Sequence, residues 1–398
     1  MKSFFLKSNL VLYSTHALNF IFSYLFILIC TNFLVEENRF QFTGFISLLN
    51  IFLIPISCLG ISLTGLYKNG KKNIYNYSII YNRSLFVFIS FVVLILILNF
   101  FFKINQFIQI EGSNYKYIIA LLLINFFYSL ENAENLARQK FLNYSVINTL
   151  PFIIRFILIF IFLVYLGYEN FELVLVIYIL SFSFLIKKYF LRFKDYGSIK
   201  NIFIIKNIPN LNFLKNLLTI SIFSIVINID IIASRYVEPI NSTSYYIESL
   251  FGKIIFFLST IAVLFMYPTN VQGNKKNFFN VLILNILASF FLILFYYFFF
   301  NTFYLFLFPD MNLNLDVVLL ISISCLLFSI SNLISYKLNI FGVYYHSLLK
   351  LFLTIILVFY LFDSKSIEEI IKYLIIFSFL FLIVDLFFYK ILKKRFIK

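Results

Sequence analysis

The chain has 398 residues, of which 62% are hydrophobic and only 12% are charged, and its formal net charge is +15 at pH 7. Ordinary soluble domains contain roughly 25% charged residues, so a globular protein of this length could not cover its surface with polar groups. Apolar runs of about 20 residues recur along the whole sequence, which excludes a soluble enzyme and predicts an integral membrane protein.

About twelve apolar segments are predicted to be transmembrane helices, which gives an all-α membrane fold. The first segment is too long for the apolar part of a secretory signal peptide, so we expect it to be retained as a span. In chain order the predicted spans cover residues 11–33, 42–66, 84–102, 117–136, 146–166, 170–186, 216–236, 245–267, 278–304, 315–336, 345–362 and 369–389.

The lysines and arginines are concentrated in every second loop and in both termini. The positive-inside rule therefore places both termini on the cytoplasmic side and predicts a multi-pass membrane protein. The same distribution explains the positive net charge as a topology signal that faces anionic membrane lipids, so no nucleic-acid partner is expected.

The longest connection, residues 187–215, is basic and divides the predicted spans into two groups of six. We therefore predict an N-terminal six-helix bundle at 1–186, a cytoplasmic basic linker at 187–215, and a C-terminal bundle with a basic tail at 216–398. Because each half contains an even number of spans, the two halves begin on the same side and any repeat between them is parallel.

The motifs of common enzyme chemistry are absent from the sequence. The Gly252–Lys253 pair lacks the first glycine of a phosphate-binding P-loop, so ATP hydrolysis is not expected. The two histidines stand at opposite ends of the chain, and no predicted outside segment is long enough for a catalytic domain. We expect neither a cofactor nor a metal site, and no enzymatic activity.

Ionisable residues inside the predicted spans are the informative ones, since each costs about 2.5–3.5 kcal/mol at the centre of a helix. Across the turn 237–244, Asp230 and Lys253 lie at matching depths at 1.5 Å per residue, so they can pair. Arg235 and Glu248 match closer to the surface. These pairs either hold the hairpin together or line a polar cavity that contacts a substrate.

Arg155 in the fifth span has no evident acidic neighbour at its depth. Its guanidinium either binds a ligand phosphate through its planar fork or extends to the cytoplasmic interface. Lys350 and Asp385 are expected to pair near the inner surface, and Lys372 to extend to the outer surface, without a functional role.

Neutral polar residues, among them His16, Asn19 and Asn50, fall in the apolar runs of the first two spans. Such groups need partners across helices. We include them with the charged residues as candidates for a translocation cavity.

Residues 216–268 resemble the seventh and eighth spans of the O-antigen (Wzx-like) polysaccharide flippases, a branch of the multidrug/oligosaccharidyl-lipid/polysaccharide (MOP) exporter superfamily. Residues 45–68 and 150–165 look like that family's second and fifth spans, the latter with an embedded arginine. The matching residues are Asp230, Tyr245, Tyr246, Lys253, Pro268 and Arg155.

The resemblance implies a multi-pass flippase of the bacterial cytoplasmic (inner) membrane, with two six-helix bundles similar to those of the multidrug (MATE-like) transporters. It implies alternating access around a cationic cavity, with an undecaprenyl-pyrophosphate-linked oligosaccharide as the substrate for surface polysaccharide biosynthesis. A coupling ion, proton or sodium, would supply the energy. Two alternatives stay open: an ion-coupled small-molecule exporter, and a membrane glycosyltransferase or polysaccharide polymerase that uses the outer carboxylates Glu36 and Glu37.

Overall fold

A computed structural model describes residues 2–53, 56, 84–99 (with gaps at 87, 94 and 98), 115–138, 140–182, 211–270, 275–308, 311–341 and 343–396. Most of the predicted linker 187–215 and parts of the predicted spans 42–66 and 84–102 lie outside these residues. The chain divides into two compact units, Met1–Leu217 and Leu218–Lys398.

The helices of the N-terminal unit begin with two that are joined by a very short turn. A shorter apolar helix covers residues 84–97. A π-helical turn at Phe160–Tyr165 continues the helix that ends at Ile159. The bounds are α1 (Lys2–Phe33), α2 (Glu36–Phe52), α3 (Tyr115–Ala137), α4 (Phe141–Ile159) and α5 (Phe171–Leu180).

The C-terminal unit contains long helices throughout its described part. Their bounds are α6 (Leu211–Val237), α7 (Ser242–Asn270), α8 (Lys275–Leu307), α9 (Leu315–Ile340), α10 (Tyr345–Asp363) and α11 (Ile367–Phe396).

Six helices in the described part of the chain are long and apolar enough to cross a membrane: Ser14–Phe33, Phe141–Tyr165, Phe278–Thr302, Leu315–Asn339, Tyr345–Asp363 and Ile367–Leu392. They coincide with six of the predicted spans. Helices α3, α6 and α7 cover three further predicted spans. The count of twelve and the orientation of the termini stay predictions.

Two boundaries differ from the predictions. Helix α2 begins at Glu36, so Glu36 and Glu37 lie in its first turn, where carboxylates favour the positive end of the helix dipole. The prediction of a loop up to residue 42 is therefore wrong, and only a short turn separates α1 from α2. Helix α5 begins after Asn170, whose side chain accepts a hydrogen bond from the backbone N–H of Glu172 at 2.7 Å, and it ends at Leu180.

Aromatic pairs between helices contribute to the packing of the N-terminal unit. Phe26 of α1 meets Phe42 of α2 edge to face with 5.8 Å between ring centroids, and Phe45 meets Phe171 in the same way at 5.7 Å. Such pairs contribute about 0.5–1.5 kcal/mol beyond the burial of their area.

In the C-terminal unit, α9 packs against α7, α8 and α11. Its inner surface is rich in small residues, with Ser322, Ser329, Ser331 and Ser335 fully buried. At the contact with α7, a Cβ on Gly252 would lie only 2.6 Å from Cγ2 of Ile321, so glycine permits the close approach. This approach places the neighbouring Lys253 inside the bundle.

Candidate functional site

The hairpin of α6 and α7 brings Asp230 and Lys253 together as predicted. The ammonium of Lys253 lies 2.9 Å from both carboxylate oxygens of Asp230, and the hydroxyl of Tyr245 donates to Oδ2 of Asp230 at 3.0 Å. Asp230 is completely buried and Lys253 is 3% exposed. The predicted pairing is confirmed, and Tyr245 is a partner that the charge pattern did not reveal.

Glu248 and Arg235 are also buried on the same hairpin. Oε1 of Glu248 accepts a hydrogen bond of 2.6 Å from the backbone N–H of Asn314, the residue that caps the start of α9. Glu248 thereby fixes the beginning of α9 against α7. A direct pairing of Arg235 with Glu248 stays a prediction.

Arg155 of α4 is 2% exposed, and its guanidinium lies among aromatic rings. Its central carbon is 4.3 Å from the ring centroid of Tyr178, 4.4 Å from that of Phe26 and 4.9 Å from that of Phe152. The predicted alternative, extension of the side chain to the interface, is contradicted by this burial.

The edge of this guanidinium has few hydrogen-bond acceptors. One terminal nitrogen of Arg155 reaches the hydroxyl of Ser23 at 3.5 Å, and Nε has no hydrogen-bond partner among the described residues. Aromatic faces stabilise the charge but accept no in-plane hydrogen bonds, and a buried N–H without an acceptor costs about 1–3 kcal/mol. This arrangement suits an external oxygen ligand.

The neutral candidates in the first two helices have different surroundings. Nε2 of His16 lies 3.3 Å from the hydroxyl of Tyr144 on α4, which gives His16 a partner across helices. Oδ1 of Asn19 is buried without a hydrogen-bond partner in the described residues. Asn50 is exposed near the end of α2.

A polar network between α3 and α4 was not predicted. The hydroxyl of Tyr128 donates to Oδ1 of Asn148 at 2.5 Å, and the amides of Asn132 and Asn148 exchange hydrogen bonds of 3.1 and 2.8 Å. In sequence these residues look like isolated polar positions in two apolar runs. Only the spacing of four residues between Tyr128 and Asn132 hinted that these two share a helix face.

A second buried ion pair joins α10 and α11. Nζ of Lys350 lies 3.0 Å from Oδ2 of Asp385, and both side chains are completely buried. The predicted pairing is confirmed. We expected no more than a pair close to a membrane surface, yet the structure encloses it between helices, with Ser331 and Ser335 donating to the same carboxylate oxygen.

The charged candidates thus form separate groups inside the two units. The N-terminal unit holds Arg155, while the C-terminal unit holds the Asp230–Lys253 pair, Arg235 and Glu248, and the Lys350–Asp385 pair. Among the described residues, no cluster of His, Cys, Asp or Glu could hold a metal ion.

Comparison with known proteins gives a fold but no relative in sequence. No family model matches the chain, and no curated protein matches it. Among solved structures it is similar to an inward-facing multidrug resistance MATE family transporter of the MOP superfamily, with 13% identity and a TM-score of 0.65 over 97% of this chain and 99% of the other.

Two further structures have the same fold. An outward-facing multidrug resistance MATE family transporter matches with 13% identity and a TM-score of 0.62 over 97% of this chain and 95% of its own. A MOP superfamily transporter from Pyrococcus furiosus, whose binding pocket of reverse polarity suggests a different function, matches with 14% identity and a TM-score of 0.60 over 97% and 96% of the two chains.

Proposed function

We propose that this chain is an alternating-access flippase that moves a lipid-linked oligosaccharide across the bacterial cytoplasmic membrane. The observation that carries the proposal is the environment of Arg155. A buried guanidinium held by aromatic faces, with an unused N–H, is suited to the oxygens of a pyrophosphate, which bind arginine bidentately.

The state of the buried carboxylates supports an anionic substrate over a cationic one. Asp230 is bound to Lys253, Asp385 to Lys350, Glu248 to the backbone of Asn314, and Glu131 to the amide of Asn135. An exporter of organic cations needs a carboxylate that is available to the substrate. The MATE-like exporter is therefore the second candidate, although the shared fold agrees with it.

The amide and hydroxyl groups near Arg155 provide a place for the glycan. Tyr128, Asn132 and Asn148 offer donors and acceptors on the unit that also holds Arg155. Sugar hydroxyls both donate and accept hydrogen bonds, as these groups do. In this proposal Arg155 binds the pyrophosphate, and the polar network contacts the first sugars.

The test is reconstitution in liposomes with a fluorescent polyprenyl-pyrophosphate-linked sugar whose leaflet is read by a membrane-impermeant quencher. We expect Arg155→Ala to lower the flipping rate at least about tenfold, as the loss of a charge-assisted bidentate contact implies. Arg155→Lys should recover part of the rate. The control is Lys372→Ala, because Lys372 is an exposed lysine of α11.

Two results would overturn the proposal. Transport of a lipophilic organic cation with no flipping of the glycolipid would identify the exporter. If, in cells, Arg155→Ala and Lys253→Ala leave surface glycan unchanged while Glu36→Ala abolishes it, the polymerase or glycosyltransferase alternative holds.

A further inference from the structure

The Lys350–Asp385 pair has a geometry that the binding of a glycolipid does not explain. It lies within the C-terminal unit, and both side chains are completely buried. The ammonium of Lys350 also faces the ring of Phe223, with 4.5 Å to the centroid. Burial of two charges costs more than a neutral, well-packed pair would, so a pair that serves packing alone has no evident advantage.

The two oxygens of Asp385 differ sharply in their surroundings. Oδ2 accepts hydrogen bonds from Ser331, Ser335 and Lys350. Oδ1 is buried and has no hydrogen-bond partner in the described residues. Ser335 also accepts from Lys350, so the serine links the two charges. One oxygen of the carboxylate is saturated with donors and the other has a lone pair available.

We propose that this pair is the proton-coupling site of the transporter, with Oδ1 of Asp385 as the atom that takes the proton. A proton from the aqueous phase forms an O–H bond at Oδ1 and neutralises the carboxylate. The ammonium of Lys350 then loses its counter-charge in a buried site, which destabilises the packing of α9, α10 and α11 around the pair. Breaking the same O–H bond releases the proton to the opposite side and restores the ion pair. Its role in transport rests on the proposed function.

The chemistry favours a proton over a metal cation. The ammonium of Lys350, 3.0 Å from Asp385, opposes an added proton and an added sodium ion alike, so the number of available ligands decides between them. Sodium needs several oxygen ligands, whereas Oδ2 is already occupied by three donors. A proton needs only one lone pair of Oδ1, which has no hydrogen-bond partner among the described residues.

The surrounding helices hold few other groups that could take the proton. Tyr389 of α11 lies beside Lys337 of α9, with the phenol oxygen 3.4 Å from Nζ, and Asp230 of α6 is bound to Lys253. On α10, His346 precedes Lys350 by one helical turn and has a buried Nδ1 without a hydrogen-bond partner in the described structure. His346 is thus the group that a titration must separate from Asp385.

The absence of tryptophan from the sequence gives a direct test. Phe388 is partly buried and lies 6.3 Å from His346, ring to ring, so Phe388→Trp introduces a single reporter near the pair. In the purified protein we expect a pH-dependent fluorescence transition that reports protonation of Asp385. It should persist in His346→Gln and in the control Glu368→Gln on the exposed start of α11, and vanish in Asp385→Asn. If Asp385→Asn does not fold, the charge-free double variant Lys350→Met, Asp385→Leu replaces it.

The second measurement is made on the liposomes that contain the fluorescent glycolipid. For one proton per cycle, the distribution of the glycolipid between leaflets should shift about tenfold per imposed pH unit. The double variant should flip the lipid without following the gradient.

The outcomes separate the two proposals. A transition unchanged in Asp385→Asn, or glycolipid transport that follows a sodium gradient and ignores a pH gradient, overturns the proton site and leaves the flippase standing. An Asp385-dependent transition without any glycolipid transport overturns the flippase and supports the proton site.

Discussion

Arg155 in the N-terminal unit and Lys253 in the C-terminal unit are both buried cations, but their surroundings are opposite. The charge of Lys253 is neutralised by Asp230 at 2.9 Å, and the hydroxyl of Tyr245 donates a further hydrogen bond to that carboxylate. Arg155 has three aromatic faces and one long hydrogen bond to Ser23. A paired charge has its donors engaged by the counter-ion, while a charge stabilised by ring faces keeps its donors available to a ligand. Stability and transport should therefore respond differently to mutation at these two places.

The largest effect on stability is expected from Asp230→Ala. Removal of the carboxylate leaves the Lys253 ammonium buried without a counter-charge, which costs about 3–5 kcal/mol. The measurement is the free energy of unfolding in detergent. The double variant Asp230→Leu, Lys253→Met should recover most of the loss, and a double variant as unstable as the single one would contradict this account of the pair.

A smaller loss is expected from Tyr245→Phe. The change removes one hydrogen bond to a charged group and keeps the ring, so we expect a loss of about 1.5–3 kcal/mol. In the Asp230→Leu, Lys253→Met background the same substitution should have little effect, since its acceptor is gone. Equal losses in both backgrounds would show that the hydroxyl acts through another contact.

Gly252→Ala tests whether close approach of α7 and α9 supports Lys253. The added methyl would meet Cγ2 of Ile321 at 2.6 Å, and overpacking of this kind costs about 1–3 kcal/mol. The matched control is Gly167→Ala, where nothing lies within 4 Å but φ is +67°. That control should lose only the roughly 1–2 kcal/mol of left-handed backbone strain and keep transport.

The smallest effect on stability is expected from Arg155→Met. Methionine fills similar space and removes a buried charge, so the loss of cation–π contacts, about 0.5–2 kcal/mol, is offset by the absence of the burial cost. Glycolipid flipping should nevertheless fall as in Arg155→Ala. If Arg155→Met were strongly unfolded in detergent, or if it flipped the glycolipid at the normal rate, the proposed difference between Arg155 and Lys253 would be contradicted.

Much of the architecture could be predicted from the sequence because the bilayer imposes it. Runs of about 20 apolar residues must form helices when no water is available to the backbone. The helices Leu315–Ile340 and Tyr345–Asp363 begin at the same residues as the predicted spans 315–336 and 345–362. The start of α2 was missed because Glu36, Glu37 and Arg39 lower its hydropathy, although carboxylates suit a first helical turn.

The site could be predicted only where the partners lie on neighbouring helices joined by a short turn. Asp230 and Lys253 are related by counting residues from that turn, so their depths could be compared. The lateral position of a side chain around its helix was not accessible in this way. The enclosure of Lys350 and Asp385 and the rings around Arg155 depend on which helices are neighbours. The sequence of an apolar span does not indicate which other spans it packs against.

The sequence by itself determined that the chain is a helical membrane protein and which charges lie within its spans, because hydropathy and charge act residue by residue. Tertiary structure decided what each buried charge contacts. Asp230 and Asp385 have ammonium partners, Glu248 binds the start of α9, and Arg155 has aromatic faces. The physical reason is that the energy of a buried charge is set by the few groups within about 4 Å of it, and helix packing alone brings those groups together.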